Sequence, residues 1–356
     1  MLDNARAPAS PFAVQQALLA EQFQYLLADL HPELRADVLL ALRSPGKLLS
    51  DRVFPADTLD ASGSDIAAAS GLPAGVWPLL TLLVAHYFAP EGDSLPASRV
   101  AIAVECFICA LDLLDDVEDG DVSSLVQTIG IPRVLNVSTA LLALAHKAIL
   151  SLSACAVAPE QILLLLNTLQ ATSITATAGQ HQDLLAEQKP VEAFDQEACL
   201  AIATGKAGAL MRFACLSGAL CAGASVQLCE QCAKLGELLG IAHQLDNDCH
   251  DIALSLDAEA TPSQQRERHI KSDLQRDKKT LPVVLAAAVR NASLQEETSQ
   301  PDEKMQENEK RALREGILST WGLCLLYRER ARDCLQEIAS SCSRPIPPEL
   351  HLLLGL

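Results

Sequence analysis

Apolar residues recur at three- and four-residue spacings along almost the whole chain, and this periodicity constrains the fold more than any other feature. Leu, Ala and Cys supply most of these positions, whereas the alternation of apolar and polar residues that is typical of strands is hard to find. Gly and Pro separate long segments that good helix formers fill. The pattern predicts roughly ten to twelve helices and no hairpin, and therefore an all-α fold.

Charge and composition exclude several classes of protein. The 356 residues include 27 Lys and Arg against 45 Asp and Glu, a net charge of −18, which disfavours nucleic-acid partners. The longest apolar runs, such as Leu79–Ala85 and Ile162–Leu166, fall short of the ~18 residues of a membrane span, so no transmembrane segment is expected. No export signal precedes the twelve cysteines, which predicts reduced thiols and a cytoplasmic protein.

Two segments differ from the rest in composition. Residues 1–12 are rich in Ala and Pro and are predicted to be flexible. Residues 293–312 are polar and charged, which predicts an exposed loop. No linker divides the remainder, so we predict one all-α domain over residues 13–356.

The first acidic cluster follows a helix that is apolar nearly all round. Ala101–Leu114 has the composition of a helix buried inside a bundle, and Asp112, Asp115, Asp116 and Asp119 then share one helical face. Carboxylates that repel one another at the negative end of a helix dipole cost about 0.3–1 kcal/mol each. A divalent cation bound by oxygen atoms would compensate this cost.

The second acidic cluster repeats the arrangement after the apolar segment Leu235–Ile241. Gln244, Asn247, Asp248 and Asp251 share a helical face, and their hard oxygen donors favour Mg²⁺ over zinc. A single cluster of this kind is often a solvated helix end. Two clusters, each at the end of an apolar helix, indicate a site where Mg²⁺ ions hold a diphosphate.

Basic residues occur where they could complete such a site. Lys206 lies in an apolar helix of small residues, where a lone cation needs an anionic partner. Lys271 and Lys278 follow the second cluster, and with Gln244 they are candidate diphosphate-binding residues. His250 could accept a proton, although an exposed or supporting His is the more ordinary interpretation.

At this point the motifs resemble those of the trans-isoprenyl diphosphate synthases, the polyprenyl synthetase family of class I isoprenoid enzymes. Asp115–Asp119 is similar to the first aspartate-rich motif, and Gln244–Asp251 to the second, with Asn247 in place of its first Asp. Segments between and after these motifs match in order and approximate spacing over residues 70–290. They contain Gln180 and Asp183, Lys206, and Lys278 within residues 272–282.

The resemblance implies a single-domain isoprenoid-synthase bundle around a deep apolar pocket. An allylic prenyl diphosphate would enter it, with about three Mg²⁺ ions at Asp115, Asp119 and Asp248, assisted by Lys206 and Lys278. Ionisation would release pyrophosphate and leave an allyl cation. Gln180, Asp183 and Asp112 are further site candidates, and family members commonly form homodimers.

The resemblance also identifies residues that would line the pocket. Small Ala110, beside Leu111, would leave room for chains of about C15 to C20. With 7 Phe, 3 Tyr and 2 Trp, the chain has few aromatic faces for a long cyclisation cascade. The implied pocket residues are Trp77, Phe88, Phe107, Ala110, Leu111 and Phe213.

One departure from the family pattern concerns the second substrate of chain elongators, isopentenyl diphosphate. The family binds it without metal, through Lys and Arg before the first motif, a His on its helix and an Arg pair after it. Here Ala74, Trp77 and Ile108 occupy the first three positions, and no Arg occurs between Arg99 and Arg133. This loss favours a terpene synthase, or a prenyltransferase with a non-standard acceptor.

Two alternatives stay open. The first is a farnesyl- or geranylgeranyl-type diphosphate synthase that uses other basic residues. The second is a non-catalytic partner subunit, against which the near-complete acidic clusters argue.

Overall fold

The computed structural model describes residues 12–50, 75–121, 123–256, 276–294 and 302–356, and every regular element within these ranges is helical. The all-α prediction is confirmed. A π-helical turn occurs at Thr204–Gly208, and short 3-10 turns occur at Ser151–Cys155 and Val191–Ala193. The α-helices of the described residues are α1 Ala13–Leu27, α2 Pro32–Leu42, α3 Val76–Phe88, α4 Ser94–Glu118, α5 Ser124–Ile129, α6 Ile131–Leu150, α7 Pro159–Glu187, α8 Gln196–Ala203, α9 Ala209–Cys221, α10 Val226–Leu256, α11 Leu281–Leu294, α12 Asp302–Cys342 and α13 Pro348–Leu354.

Local chemistry fixes several helix starts. The Asp93 carboxylate accepts a hydrogen bond from the N–H of Leu95 (3.0 Å) at the start of α4. Asp195 accepts one from the N–H of Ala198 (2.9 Å) at the start of α8. Gly130 has a φ of 78°, which lets α5 end and α6 begin at the next residue.

The chain divides into two compact units, of which the first consists of Met1–Leu169, Phe213–Ala233 and Glu337–Leu356. Helix α4 packs against α3 and α6, and all but one of the residues 97–110 are buried. The apolar helix is therefore interior, as its composition predicts.

The second unit consists of Gln170–Arg212 and Lys234–Gln336. Helix α10 lies unusually close to the segment that follows α8, because Gly236 and Gly240 face the carbonyls of Met211 and Ala207, where a Cβ atom would collide. Part of the core of the second unit is formed by Cys199, Ile241, Ala242, Leu245, Leu281, Val284 and Cys324.

The two segments of unusual composition are only partly described. Residues 1–11 lie outside the described residues, and Phe12 is buried. In the predicted loop 293–312, residues 302–312 instead form the first turns of α12. Glu, Gln, Lys and Met are good helix formers, and the sequence there is rich in them.

Three helical segments among the described residues are long and apolar enough to cross a membrane by length and composition: Ile131–Cys155, Pro159–Glu187 and Gln196–Cys221. The short apolar runs in the sequence did not reveal them, because polar residues and a few charged ones divide each segment while its average stays apolar. In the most apolar part of each segment, the share of residues buried inside the protein is 44%, 28% and 50%, in the same order. The absence of a membrane span stays a prediction.

Candidate functional site

The first acidic cluster occupies the last turn of α4, in the first unit. Asp115 and Asp116 are partly buried, and Asp119, which ends the helix, is 8% exposed. The N–H of Asp119 donates to the carbonyl of Asp115 (2.8 Å), so the helical geometry that aligns these side chains persists to the last carboxylate. A nearly buried carboxylate at the negative end of a helix needs a nearby cation.

One turn earlier on α4, the structure adds a basic residue that the sequence analysis missed. Lys47, 9% exposed, forms an ion pair with Asp112. The next residue of its turn, Leu48, donates its N–H to the buried carboxylate of Glu105 (2.7 Å). The turn that carries Lys47 is therefore held against the helix of the first acidic cluster.

The same turn is joined to the start of α3. The N–H of Gly75 donates to the carbonyl of Gly46 (2.9 Å), and a Cβ atom on Gly75 would collide with Leu48. Gly75 directly follows Ala74, the position where the family resemblance leads one to expect a lysine. Lys47 lies 27 residues upstream in the sequence, so the linear alignment did not reveal it. A Gly-Lys pair after α2 was the available signal.

Burial and neighbouring charges together set the ionisation of Lys47 and Glu105. Burial alone would lower the pKa of Lys47, but Asp112, Cys109 and Glu105 together outweigh it, so the pKa lies above its ordinary value. Burial raises the pKa of Glu105. The charge of Lys47 and the hydrogen bond from the N–H of Leu48 lower it again, but only in part. Lys47 is therefore charged, and Asp112 is the carboxylate that balances it.

The second acidic cluster lies on α10, in the second unit. Asp248 is 7% exposed, and the Gln244 side-chain amide donates to its Oδ1 atom (2.9 Å). Asn247 is exposed, with its amide nitrogen 3.5 Å from Nε2 of His243, and Asp251 is partly buried. Gln244 thus orients a predicted metal ligand in this structure, whereas the sequence suggested a direct contact with the diphosphate.

The structure brings three predicted residues of the second unit together. Asp183 Oδ2 lies 2.7 Å from Nζ of Lys206 and 3.8 Å from Nζ of Lys278, and all three side chains are at most 15% exposed. The π-helical turn presents Lys206, which is the kind of local irregularity that often occurs at functional sites. Gln180, one turn before Asp183 on α7, is partly buried. The predicted Lys271 lies outside the described residues.

Cys199 links this ion-pair group to the second acidic cluster. Its pKa is raised to about 12 by burial first, and then by the carboxylates of Asp248, Asp195 and Asp183. Both Asp183 and Asp248 are therefore close enough to act electrostatically on one buried thiol. Acidic and basic predicted residues share one neighbourhood within the second unit.

The remaining predicted residues are distributed as follows. The rings of Phe107 and Phe213, both in the first unit, form an edge-to-face pair with centroids 5.4 Å apart. His250 is exposed, which agrees with the ordinary surface interpretation. Of the other residues implied to line a pocket, Ala110 is buried, and three are partly buried: Leu111, Trp77 and Phe88.

The chemistry of the acidic side chains fits Mg²⁺. Among the described residues, no three His, Cys, Asp or Glu side chains are grouped so that they could hold a metal ion by themselves. Mg²⁺ is usually bound by one or two carboxylates, with phosphate oxygens and water completing its coordination. Asp119 and Asp248 offer nearly buried oxygen donors of this kind.

Comparisons with known proteins agree with these motifs. Residues 75–316 match the family model described as Polyprenyl synthetase. Geranylgeranyl diphosphate synthase of Mycobacterium tuberculosis (strain ATCC 25618 / H37Rv) is 30% identical over 238 residues, 65% of this chain. The match spans 64% of that relative, somewhat less than two thirds of its length.

Solved structures of similar proteins share the fold. A geranylgeranyl pyrophosphate synthetase from the archaeon Geoglobus acetivorans has a TM-score of 0.66 and 20% identity, with 97% of each chain covered. A polyprenyl synthetase from Streptomyces coelicolor A3(2) has a TM-score of 0.66 and 22% identity, with 96% of this chain and 97% of that one covered. At these identities the likeness concerns the fold alone.

Proposed function

The chain belongs to the polyprenyl synthetase family, and from that premise we propose that it elongates an allylic prenyl diphosphate with isopentenyl diphosphate. The bond between the allylic carbon and the diphosphate oxygen breaks, and both electrons leave with pyrophosphate. The double bond of isopentenyl diphosphate attacks that carbon, and the adduct loses a proton. The name of the Mycobacterium tuberculosis relative supports elongation over the terpene synthase that the sequence favoured.

The observation that carries this proposal is the position of Lys47. The sequence argued against elongation because it offered no lysine at Ala74, where the resemblance expects one. The turn of Lys47 is hydrogen-bonded to Gly75, and Lys47 itself is paired with Asp112 on the helix of the first acidic cluster. It supplies a cation for a second diphosphate that needs no metal.

The two acidic clusters and the buried lysines would bind the allylic diphosphate. Asp115, Asp119 and Asp248 are the proposed Mg²⁺ ligands, and Mg²⁺, when bound, neutralises charge on the departing diphosphate. Lys206 and Lys278 would donate hydrogen bonds to the same group. Asp183 holds both lysines before the substrate arrives, which reduces the ordering that binding requires.

A second candidate function rests on a different observation. Ile108, where the family pattern has a His, is fully buried on α4, and Trp77 stands where an Arg is expected. Part of the metal-free diphosphate site is therefore absent, which favours a terpene synthase or a prenyltransferase with another acceptor.

One experiment distinguishes these functions. The protein is incubated with Mg²⁺ and C10, C15 or C20 allylic diphosphates, with and without isopentenyl diphosphate, and products are separated by chromatography. Elongation gives longer diphosphates only when both substrates are present. Pyrophosphate release with a hydrocarbon or alcohol product from the allylic substrate alone would favour the terpene synthase. No turnover under any condition would favour the non-catalytic subunit.

The small, buried Ala110 supports products of about C15 to C20.

The assembly and location are also proposals. Helix α7 exposes Leu163, Leu164 and Ile174, and residues 161–182 contain no Asp, Glu, Lys or Arg. A second copy of the chain would cover this face, which supports a homodimer. The twelve cysteines form no disulfide, which supports a reducing, cytoplasmic location.

A further inference from the structure

Asp112 differs from the other carboxylates of α4 in what it contacts. It lies one turn before Asp115, and its side chain is 48% exposed. Its partner Lys47 has a side chain that is only 11% exposed. The more accessible member of the ion pair is therefore the carboxylate.

The pair puts a negative charge where an anionic ligand of Lys47 must arrive. An ammonium group has three donor hydrogens, and the one hydrogen-bond acceptor found for Lys47 among the described residues is Asp112. Glu105, the other nearby carboxylate, is fully buried and bonded to the turn itself. A diphosphate that reaches Lys47 must displace Asp112 or bind beside it, and like charges repel in either arrangement.

We propose that Asp112 is a specificity-determining residue that competes with the diphosphate of the second substrate for Lys47. The inference rests on the proposed function, which assigns that diphosphate to Lys47. A diphosphate carries more negative charge and more acceptor oxygens than a monophosphate, so it displaces Asp112 more readily, and the subsite favours diphosphates over monophosphates. The cost is a lower affinity than an unoccupied lysine would give.

The test measures binding of inorganic pyrophosphate by isothermal titration calorimetry in EDTA, where sites that need Mg²⁺ do not contribute. Asp112→Asn should bind pyrophosphate about three- to tenfold more tightly than the natural protein, because the competing charge is removed. It should also discriminate less between pyrophosphate and inorganic phosphate. An unchanged or weaker pyrophosphate affinity would overturn the inference.

A matched control is Asp29→Asn. Asp29 forms an ion pair with Lys147 (2.9 Å) elsewhere in the first unit, so the variant loses the same charge and one ion pair. Its pyrophosphate affinity should equal that of the natural protein. An equal gain in pyrophosphate affinity in Asp29→Asn and Asp112→Asn would mean that net charge alone is responsible, and would contradict the inference.

The Lys47→Gln variant tests the route of the effect. If Asp112 acts through Lys47, Asp112→Asn gains no affinity in the Lys47→Gln background. A gain that persists there contradicts the proposal. Circular dichroism checks the fold of the double variant, and the comparison of Asp112→Asn with Asp29→Asn decides the matter if that variant does not fold.

Turnover separates this inference from the proposed function. Asp112→Asn should lower the KM for isopentenyl diphosphate more than that for the allylic substrate. If the natural protein does not elongate but the pyrophosphate effects are found, the proposed function fails and the competition for Lys47 stands. If it elongates and Asp112→Asn leaves affinity unchanged, the function stands and this inference fails.

Discussion

Asp119 and Asp248 are only 8% and 7% exposed, which is uncommon for carboxylates. Asp183 has two lysines within 4 Å, which compensate its burial locally. Asp119 at the end of α4 and Asp248 within α10 have the burial that suits the metal binding proposed for them, and Asp183 has the geometry of a group that positions lysines.

Replacing a proposed metal ligand should abolish most activity. Asp115→Ala and Asp248→Ala should each lower turnover by several orders of magnitude, because each removes an oxygen ligand from the charge-neutralising site. Steady-state assays with saturating Mg²⁺ measure the loss. Near-full turnover in both variants would show that the metal site is wrongly assigned.

The matched control for these variants is Asp246→Ala. Asp246 lies on the same helix, two residues before Asp248, but its carboxylate pairs with Arg328 (3.5 Å) and accepts a hydrogen bond from Trp321 (3.3 Å). Turnover should therefore stay close to that of the natural protein.

Buried thiols make the fold sensitive to alkaline pH. Burial raises the pKa of Cys109 from 9.0 to about 12, so the folded chain keeps a proton that the unfolded chain loses. The folded state binds more protons in this window, and the free energy of unfolding should fall as the pH rises from 9 to 12. Denaturant unfolding in a reducing agent measures this dependence. It should be shallower in Cys109→Ala, and an identical slope would contradict the assignment.

Among the helices, the π-helical turn Thr204–Gly208 is the element that positions Lys206. It lies against α7, where Gly179 faces Gly205 so closely that a Cβ atom would come within 2.6 Å of the Gly205 carbonyl carbon. The turn and Gly179 are therefore one packing unit, and Asp183 follows on the same helix one turn later.

A methyl group at Gly179 should disturb this unit. Gly179→Ala would bring Cβ within 2.9 Å of the Lys206 backbone nitrogen, so the turn must shift. We expect a loss of about 1–3 kcal/mol of stability and a higher KM for the allylic diphosphate. Thermal unfolding and steady-state kinetics measure the two effects.

Gly322→Ala provides the control for this change. Gly322 lies inside α12, and beyond its chain neighbours and the adjacent backbone of its own helix no described atom lies within 4 Å of the Cβ it would gain. The variant should gain about 0.5–1 kcal/mol of stability from helix propensity and keep its KM. A Gly179→Ala variant that behaved in the same way would exclude the proposed packing.

At the scale of the whole molecule, the exposed apolar face of α7 sets what the protein can associate with. The same helix is one of the three that are apolar enough to cross a membrane, and only 28% of its apolar stretch is buried within the chain. A homodimer and a membrane contact would both cover this face, so a measurement of the oligomeric state distinguishes between them.

Ile174→Glu should separate dimers into monomers. Ile174 is 71% exposed on α7, and a charge there would be buried without a partner in a homodimer. Light scattering after size-exclusion chromatography measures the mass. Leu318→Glu, on α12 and 67% exposed, should leave the assembly unchanged. A monomeric natural protein, or a dimeric Ile174→Glu, would refute this interface.

The helical class and the two acidic motifs are predictable from residue types and their spacing alone. Helical periodicity and the side-chain oxygens of Asp115–Asp119 and Gln244–Asp251 are local properties, set by residue type and spacing of three or four. The buried interior position of α4 follows from the same local pattern, because an all-round apolar helix cannot face water.

Only the tertiary structure revealed the pairing of Lys47 with Asp112 and that of Asp183 with both Lys206 and Lys278. The partners are separated by 65, 23 and 95 residues, and a periodic pattern carries no information about which distant turns meet. Such meetings depend on packing, as where Gly179 admits the turn of Lys206. For the same reason Lys47 was not found from the sequence: its position relative to α3 depends on a hydrogen bond between Gly46 and Gly75, not on its distance along the chain.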